Sequence, residues 1–402
     1  MLKFTIQKKL EGTMARAGEI ETANGVIQTP AFVVVGTKAA VKALTAEQIR
    51  SLNAQVVLAN TYHLYLQPGA DVVAEAGGFG HFMDWHGPTM TDSGGFQAFS
   101  LGAAFGNAVS KIATGDAVED VSVSPGQLAK VTDEGVTFKS HLDGSKHLFT
   151  PESSMEAQWK LGADMIFAFD ECTSPTAPYD YQQKSLARTY DWAKRSLARH
   201  NELDTAKRQS LFAVIQGGRF QDLREEAART LGALAASSEL AEGFDGYGIG
   251  GSFTKEDIGT AVGWVNAILP EDKPRHLLGI GEPLDLFEAV AAGCDLFDCI
   301  APTRMARHGS VHTADGRLNL KNAKCIRAFV PIEADCQCYT CQHHTQAYLA
   351  HLFRADEITA GTLASIHNLY FILRLVERMR AGILDGSFSE YKKTFLARYY
   401  PS

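Results

Sequence analysis

The sequence predicts an α/β protein built on a closed (β/α)8 TIM barrel. Short apolar segments alternate with helix-like segments at a spacing of roughly 30–40 residues, which is typical of repeated βαβ units in a parallel sheet. Six or more such units favour a closed barrel over an open sheet. The chain has 402 residues, which is long for one domain, so we expect a further piece appended to the barrel.

The N-terminal residues predict a small antiparallel element ahead of the barrel. Residues 2–8 and 15–35 are rich in β-branched and aromatic side chains, and Gly18 and Gly25 interrupt them. We expect this element to close one end of the barrel.

A regular alternation of helices and strands follows. Thr45 can cap a helix over 44–52, and Thr150 can cap one over 150–162. Residues 100–150 are less periodic, and their alternating VTFKS segment predicts a hairpin inserted above the barrel. Further helices are predicted over 181–203, 220–237, 255–268 and 283–293. Buried strands are predicted over 54–60, 88–92, 163–170, 211–218, 247–251, 275–281 and 294–299.

The predicted strands end in polar residues or glycines. Barrel enzymes carry their chemistry at the carboxyl ends of the strands, so these residues should converge on one face. They are Asn60, Asp92, Asp170, Gln216, Gly251 and Asp298.

Paired carboxylates in such a cup favour glycosyl transfer. One carboxylate can trap an anomeric carbon covalently while another moves protons. A third carboxylate suits a guanine-like edge, because it accepts from two adjacent donors together. The alternative for any one of Asp92, Asp170 and Asp298 is that it only pins a loop. The chain has no Walker-type loop and no full GxGxxG fingerprint, so a mechanism without a nucleotide cofactor is favoured.

Composition and charge narrow the class of protein. The content of 45% hydrophobic and 21% charged residues is ordinary for a soluble globular protein. No run of apolar residues is long enough for a transmembrane helix, and the N-terminus lacks the apolar segment of a secretory signal, so we expect a cytoplasmic protein without membrane contact.

Net charge is distributed unevenly along the chain. The whole chain carries −8, but residues 301–402 contain 13 basic and 8 acidic residues. A basic C-terminal quarter fits local contact with a polyanion, and a solvated helical tail is an equal alternative.

A cysteine cluster predicts a metal site. CQCYTC (336–341) places three thiols within six residues, which suits tetrahedral zinc in a closed structural site. A redox role for the thiols is the minor alternative. The spacing leaves the fourth ligand open among Cys325, His343, His344, His351 and His367.

Several longer motifs, taken together, resemble tRNA-guanine transglycosylase, the base-exchange family of queuosine biosynthesis. The similarity runs from about residue 12 to about residue 380. Its motifs are TDSGGFQ (91–97), AFDECT (168–173), VIQGG (214–218), DLFDCIAPTR (295–304), CQCYTC (336–341) and IHNLYF (366–371).

The resemblance implies a role for each matching residue. Asp298 would be the nucleophile that holds the ribose covalently, and Asp92 the general acid and base. Arg304 and Arg307 would contact tRNA. The base would be read by Ser93, Asp170, Cys172, Gln216, Gly251 and Ser252, and sandwiched between Phe96 and Leu278. One structural zinc per chain would be held by Cys336, Cys338, Cys341 and His367.

The resemblance also implies partners and a division of the chain. The substrates would be the anticodon loop of tRNA and a 7-deazaguanine base, and the protein would be a homodimer. Residues 1–320 would form the catalytic barrel with the N-terminal element and the insertion, and residues 321–402 the zinc-binding helical subdomain.

One segment departs from the family pattern. After Gly250 and Gly251 the chain continues Ser-Phe-Thr-Lys-Glu (252–256), where common bacterial members have a longer Leu, small residue, Val, Gly, Glu segment. In the family this loop holds the aminomethyl arm of the incoming base. We therefore expect the chain to accept queuine as well as, or instead of, the aminomethyl-deazaguanine precursor.

Three alternatives remain open. A non-catalytic tRNA-binding partner subunit would be expected to lose the acidic pair, whereas Asp92 and Asp298 are both present. A DNA-modifying relative would share the catalytic core. A sugar hydrolase on a barrel would need neither the cysteine cluster nor the basic tail.

Overall fold

A computed structural model describes residues 2–103, 129–237, 243–250 and 257–401. Within those ranges, no helix has the length and apolar character needed to cross a membrane. The strands there are β1 (Lys3–Lys9), β2 (Arg16–Thr22), β3 (Gly25–Thr29), β4 (Ala31–Val35), β5 (Val57–Ala59), β6 (Thr89–Thr91), β7 (Ala129–Val131), β8 (Val136–Lys139), β9 (Lys146–Phe149), β10 (Met165–Phe167), β11 (Ser210–Ile215), β12 (Gly246–Ile249), β13 (Arg275–Leu277), β14 (Leu296–Asp298), β15 (Ser310–Thr313) and β16 (Gly316–Asn319).

The helices lie between and after these strands. Both predicted threonine caps are confirmed, because the Thr45 and Thr150 side chains each accept a hydrogen bond from the backbone three residues later. The helices are α1 (Ala46–Ser51), α2 (Thr61–Leu66), α3 (Ala70–Glu75), α4 (Phe79–Phe82), α5 (Gly95–Ala103), α6 (Pro151–Leu161), α7 (Tyr179–Leu203), α8 (Gln221–Ser237), α9 (Ile258–Asn266), α10 (Pro283–Ala291), α11 (Ala301–Arg307), α12 (Tyr339–His343), α13 (Gln346–Arg354), α14 (Ile358–Asp385) and α15 (Phe388–Tyr399).

Eight parallel strands close the predicted barrel. Their order around it is β4-β5-β6-β10-β11-β12-β13-β14, and β14 pairs with β4 through Leu296 opposite Ala31. The predicted (β/α)8 fold is therefore confirmed.

The barrel begins earlier in the chain than the sequence predicts. Residues 31–35 were expected in the N-terminal antiparallel element, but they form β4, the first barrel strand. Only β1, β2 and β3 make the antiparallel sheet. Pro30 alone separates β3 from β4, so the sequence offers no linker that marks the change.

The antiparallel sheet closes the barrel end at which the strands begin. Ile20 and Ile27 are fully buried and pack against the interior cluster that includes Met165 and Phe212. The Leu2 amide donates to Ser210 Oγ at the start of β11. This sheet leaves the opposite end, where the strands finish, as the face for a site.

Side chains alternate between the interior and the helical layer. Along β11, Phe212 and Val214 belong to the interior cluster, whereas Ala213 and Ile215 pack with the surrounding helices. Polar groups at the strand ends are thus held above a packed apolar core.

Two smaller units complete the described fold. The predicted insertion contains a three-stranded antiparallel sheet, β7-β8-β9, and residues 104–128 of it lie outside the described residues. In the C-terminal region, α14 packs against β4 and α11 of the barrel and also against α12. The boundary at residue 320 stays a prediction.

Candidate active site and metal centre

A cavity with an empty volume of about 400 Å³ opens where the barrel strands end. Seven predicted base-binding or catalytic residues line it; they are Asp92, Ser93, Phe96, Asp170, Cys172, Gln216 and Leu278. Gln97, Phe167, Val214 and Gly250 complete the lining. Gly251 and Ser252, which were also predicted, lie outside the described residues.

Asp92 is held by donors from two directions. The carboxylate follows β6 and accepts from the Thr61 amide at 2.9 Å and from Gln97 Nε2 at 2.7 Å. Asn60 Nδ2 donates to the same oxygen as Gln97. These contacts fix the orientation of the carboxylate beside the cavity.

Asp170 lies in a polar corner with Ser93 and Gln216. Gln216 Nε2 donates to Asp170 Oδ2 at 2.7 Å, and Ser93 Oγ donates to Oδ1 at 3.3 Å. The Gln216 side chain is buried, and its Oε1 has no hydrogen-bond partner among the described residues. A buried acceptor of this kind favours a ligand that brings a donor.

A buried ion pair supports that corner. The neighbouring residue, Glu171, is 3% exposed and pairs with Arg188. The Tyr181 hydroxyl donates to the same carboxylate at 2.7 Å. Burial, followed by the charge of Glu171 and this hydrogen bond, raises the pKa of Tyr181. These two contacts from α7 therefore hold the loop after β10 in place.

Asp298 ends the last barrel strand. Its Oδ1 lies 2.9 Å from His276 Nε2 and accepts from the Gly279 amide at 3.0 Å. The Asp298 side chain is 15% exposed, whereas His276 is fully buried. The carboxylate is thus reachable from solvent on the face where the cavity opens.

A second cluster lies in the C-terminal region. His367 Nδ1 lies 3.7, 3.7 and 3.3 Å from the Sγ atoms of Cys336, Cys338 and Cys341, and all four side chains are buried. His367 Nε2 lies 2.7 Å from the His312 carbonyl oxygen, a contact that directs Nδ1 toward the thiols. Three sulfurs and one nitrogen this close form a group that could hold a metal ion.

The thiols of this cluster interact strongly. Hydrogen bonds to Cys336 and Cys338 lower the pKa of the Cys341 thiol to about 4. The same kind of bonds to Cys336 and Cys341 raise the pKa of Cys338.

Comparison with known proteins decides the family. The family model described as queuine tRNA-ribosyltransferase matches residues 11–401. The chain belongs to the queuine tRNA-ribosyltransferase family.

Curated relatives of this tRNA-ribosyltransferase family cover almost the whole chain. Queuine tRNA-ribosyltransferase of Caldanaerobacter subterraneus subsp. tengcongensis is 43% identical over 402 residues, which are 99% of this chain and 98% of the relative. The protein of the same name from Symbiobacterium thermophilum is 43% identical, with 99% and 92% covered. That from Desulforamulus reducens is 44% identical, with 98% of both chains covered. Members of this family are pentosyltransferases that act on tRNA.

The basic residues after Asp298 fit a tRNA-ribosyltransferase. Arg304 and Arg307 lie on α11, which begins three residues after the carboxylate. Burial, and then the charge of Arg304, lowers the pKa of Arg307. Two close guanidinium groups favour contact with phosphates.

Two contacts to the carboxylates were not predicted from the sequence. Gln97 is the last residue of the TDSGGFQ motif, and its spacing of five from Asp92 was the available signal. His276 was a polar residue in the predicted apolar strand 275–281, which indicated an inward-facing group.

Proposed function

We propose that this enzyme exchanges the guanine at the anticodon wobble position of tRNA for a 7-deazaguanine base through a covalent Asp298–ribose intermediate. The observation that carries the proposal is the gathering of three carboxylates, Asp92, Asp170 and Asp298, at one end of the barrel. Each accepts hydrogen bonds from named donors. Asp92 and Asp170 line one cavity, and Asp298 ends β14 at the same end of the barrel.

In the first step, a carboxylate oxygen of Asp298 attacks C1′ of the wobble ribose. The C1′–N9 bond breaks, and its electron pair goes to the departing purine. Asp92 in its protonated form gives that purine a proton, so guanine leaves neutral and Asp92 becomes a carboxylate. The tRNA stays attached to Asp298 as a glycosyl ester.

The second step reverses the first with another base. Asp92 removes the N9 proton of the incoming base, whose nitrogen then attacks C1′. The bond between C1′ and Asp298 breaks, and the electron pair returns to the carboxylate. Both carboxylates recover their starting states, so no external energy source is required.

Recognition of the base follows from the polar corner. Asp170 would accept from the N1–H and exocyclic amine of guanine, and Gln216 Oε1 would receive a further donor. Ser93 and Cys172 would line the edge, while Phe96 and Leu278 would pack on the two faces of the ring. Gly251 and Ser252 would complete the recognition from the loop that follows β12.

The incoming base is proposed to be queuine or its aminomethyl-deazaguanine precursor. Residues 252–256 depart from the common bacterial pattern in the segment that holds the aminomethyl arm. The proposal that queuine is accepted rests on that departure.

The remaining assignments complete the proposal. The group of Cys336, Cys338, Cys341 and His367 would hold one structural Zn²⁺ and take no part in the chemistry. Arg304 and Arg307 would bind phosphates of the anticodon loop, and the chain would act in the cytoplasm as a homodimer.

Nucleoside analysis tests the proposal. The enzyme is incubated with a tRNA that carries labelled guanine at the wobble position, and with queuine or the aminomethyl precursor. We expect label release and the matching 7-deazaguanosine by mass spectrometry. A tRNA with wobble adenosine and a DNA hairpin of the same sequence are controls. Retention of the label with both bases would overturn the proposed exchange, and exchange in the DNA hairpin alone would favour the DNA-modifying alternative.

A further inference from the structure

His276 contacts Asp298 through a ring nitrogen, and its side chain is fully buried. His276 lies on β13 between Gly248 of β12 and Leu296 of β14, and its side chain faces the barrel interior. Its ring packs edge-on against Phe167, with 5.4 Å between the ring centroids. The ring therefore has little freedom to rotate away from Asp298.

The hydrogen-bond geometry identifies the donor. His276 Nε2 lies 2.9 Å from Asp298 Oδ1, and an ionised carboxylate only accepts, so the ring hydrogen on Nε2 points at the carboxylate. The other ring nitrogen, Nδ1, is buried and has no hydrogen-bond partner among the described residues. In the tautomer with its hydrogen on Nε2, Nδ1 carries only a lone pair. No N–H group is then buried without an acceptor.

A second donor converges on the same oxygen. The Gly279 amide lies 3.0 Å from Asp298 Oδ1. Gly279 has φ +78°, a conformation that side chains of L-residues rarely adopt, so glycine allows the turn that aims this amide at the carboxylate. Oδ1 thus accepts two hydrogen bonds from fixed groups at the end of β13.

We propose that His276 is a positioning residue that stabilises Asp298 when it departs from the ribose. This inference rests on the proposed covalent function. With Oδ2 as the attacking oxygen, Oδ1 becomes the uncharged carbonyl oxygen of the glycosyl ester. When the incoming base attacks C1′, the electron pair of the breaking C1′–O bond returns to the carboxylate, and negative charge reappears on Oδ1.

This arrangement assists the two steps unequally. A donor aimed at an oxygen that gains charge lowers the barrier to that step. The His276 and Gly279 donors therefore favour decay of the adduct over its formation. Loss of the His276 donor should slow decay selectively and let the adduct accumulate.

Four forms of the enzyme test this. In His276→Phe the ring loses its donor, and in His276→Asn the amide is too short to reach Oδ1. In His276→Gln the amide reaches the position of Nε2 and serves as the conservative rescue. Each is mixed with wobble-guanosine RNA, the adduct is followed on a denaturing gel, and unlabelled guanine is added as the incoming base. RNA KM and thermal melting are measured in parallel.

The expected result is a change in the ratio of the two rates. Adduct decay should fall by roughly tenfold to a hundredfold in the Phe and Asn variants, whereas adduct formation and RNA KM change much less. The Gln variant should decay within about fivefold of the unmodified enzyme.

Three outcomes overturn the inference. They are unchanged decay in both non-donor variants, an equal fall in formation and decay, and a Gln variant as slow as Asn. If the unmodified enzyme forms no adduct, the proposed covalent function itself is wrong. This measurement does not involve any substitution at position 276, so the two failures can be distinguished.

Discussion

Asp295 directly precedes the last barrel strand, Asp298 ends it, and the two carboxylates have opposite environments. Asp295 is fully buried and forms an ion pair of 2.6 Å with Arg16, which is 2% exposed. Asp298 is partly exposed and accepts from His276 and Gly279. Two carboxylates three residues apart thus separate a structural role from a proposed chemical one.

Asparagine substitutions should separate the two roles. Asp295→Asn leaves the buried Arg16 charge unpaired, so the free energy of unfolding should fall by about 3–5 kcal/mol. Asp298→Asn should lower it by less than about 1 kcal/mol and abolish base exchange. Urea denaturation and exchange of labelled guanine measure both. If the Asp298→Asn enzyme exchanges guanine at the normal rate, Asp298 is not the nucleophile.

Asp92→Asn should block proton transfer with the fold intact. The amide keeps the size of the carboxylate but can neither give nor take the proton, so we expect exchange to fall by about 10²–10⁴-fold. Circular dichroism checks the fold, and Gln97→Ala is the matched control for loss of one contact to Asp92. If Asp92→Asn is no slower than Gln97→Ala, Asp92 is not the acid and base.

Asp170→Asn should weaken guanine recognition. An amide would present a donor where the guanine edge also donates, so kcat/KM for labelled guanine should fall by about 10–100-fold. Ser93→Ala removes the longer contact, of 3.3 Å, and should cost less. A larger loss in Ser93→Ala than in Asp170→Asn would contradict this ranking.

Metal binding should stabilise the C-terminal region. Cys338→Ser should lower both bound zinc, measured by elemental analysis, and Tm, because metal binding contributes folding energy. Cys325→Ser is the control, since Cys325 is also buried but lies outside the Cys₃His group. A Cys338→Ser protein that keeps a full zinc equivalent and an unchanged Tm would refute the metal site.

Stability should decline as the pH falls through the range in which unfolded histidine takes up protons. Burial, followed by the charges of His141, Lys38 and Lys42, lowers the pKa of His63 from 6.5 to about 4. Below 6.5 the unfolded state therefore binds a proton that the folded state binds only near 4, so acid favours unfolding.

A His63 variant measures this contribution. Between pH 7 and pH 5 the unmodified protein should lose about 1 kcal/mol more unfolding free energy than His63→Gln, after allowance for the partial exposure of the ring. Urea denaturation at the two pH values gives the difference. Parallel losses in the two proteins would show that His63 does not titrate in this way.

The barrel could be predicted from the sequence because its strands are short, apolar and separated by helix-like segments. Seven barrel strands were expected, and the eighth, β4, was assigned to the N-terminal element because only Pro30 separates it from β3. Pairing partners such as Leu296 and Ala31 are far apart in sequence, so closure of the barrel follows from the whole set of strands and from no local pattern.

The site could be predicted only in part. Strand-end polar residues such as Asp92 and Gln216 were visible, and they do line one cavity. The contacts that orient the carboxylates of this region could not be predicted. His276 on β13 contacts Asp298 on the neighbouring strand β14, and Arg188 on α7 contacts Glu171. Such partners depend on register and side-chain direction, which a periodicity pattern does not encode.

The most direct test of the account is to locate the covalent bond. The enzyme is trapped with wobble-guanosine RNA, digested with nuclease and protease, and sequenced by tandem mass spectrometry. The account predicts a ribose-containing adduct on Asp298 that is absent from Asp298→Asn. An adduct on Asp92, or base exchange with no adduct on any peptide, would contradict it.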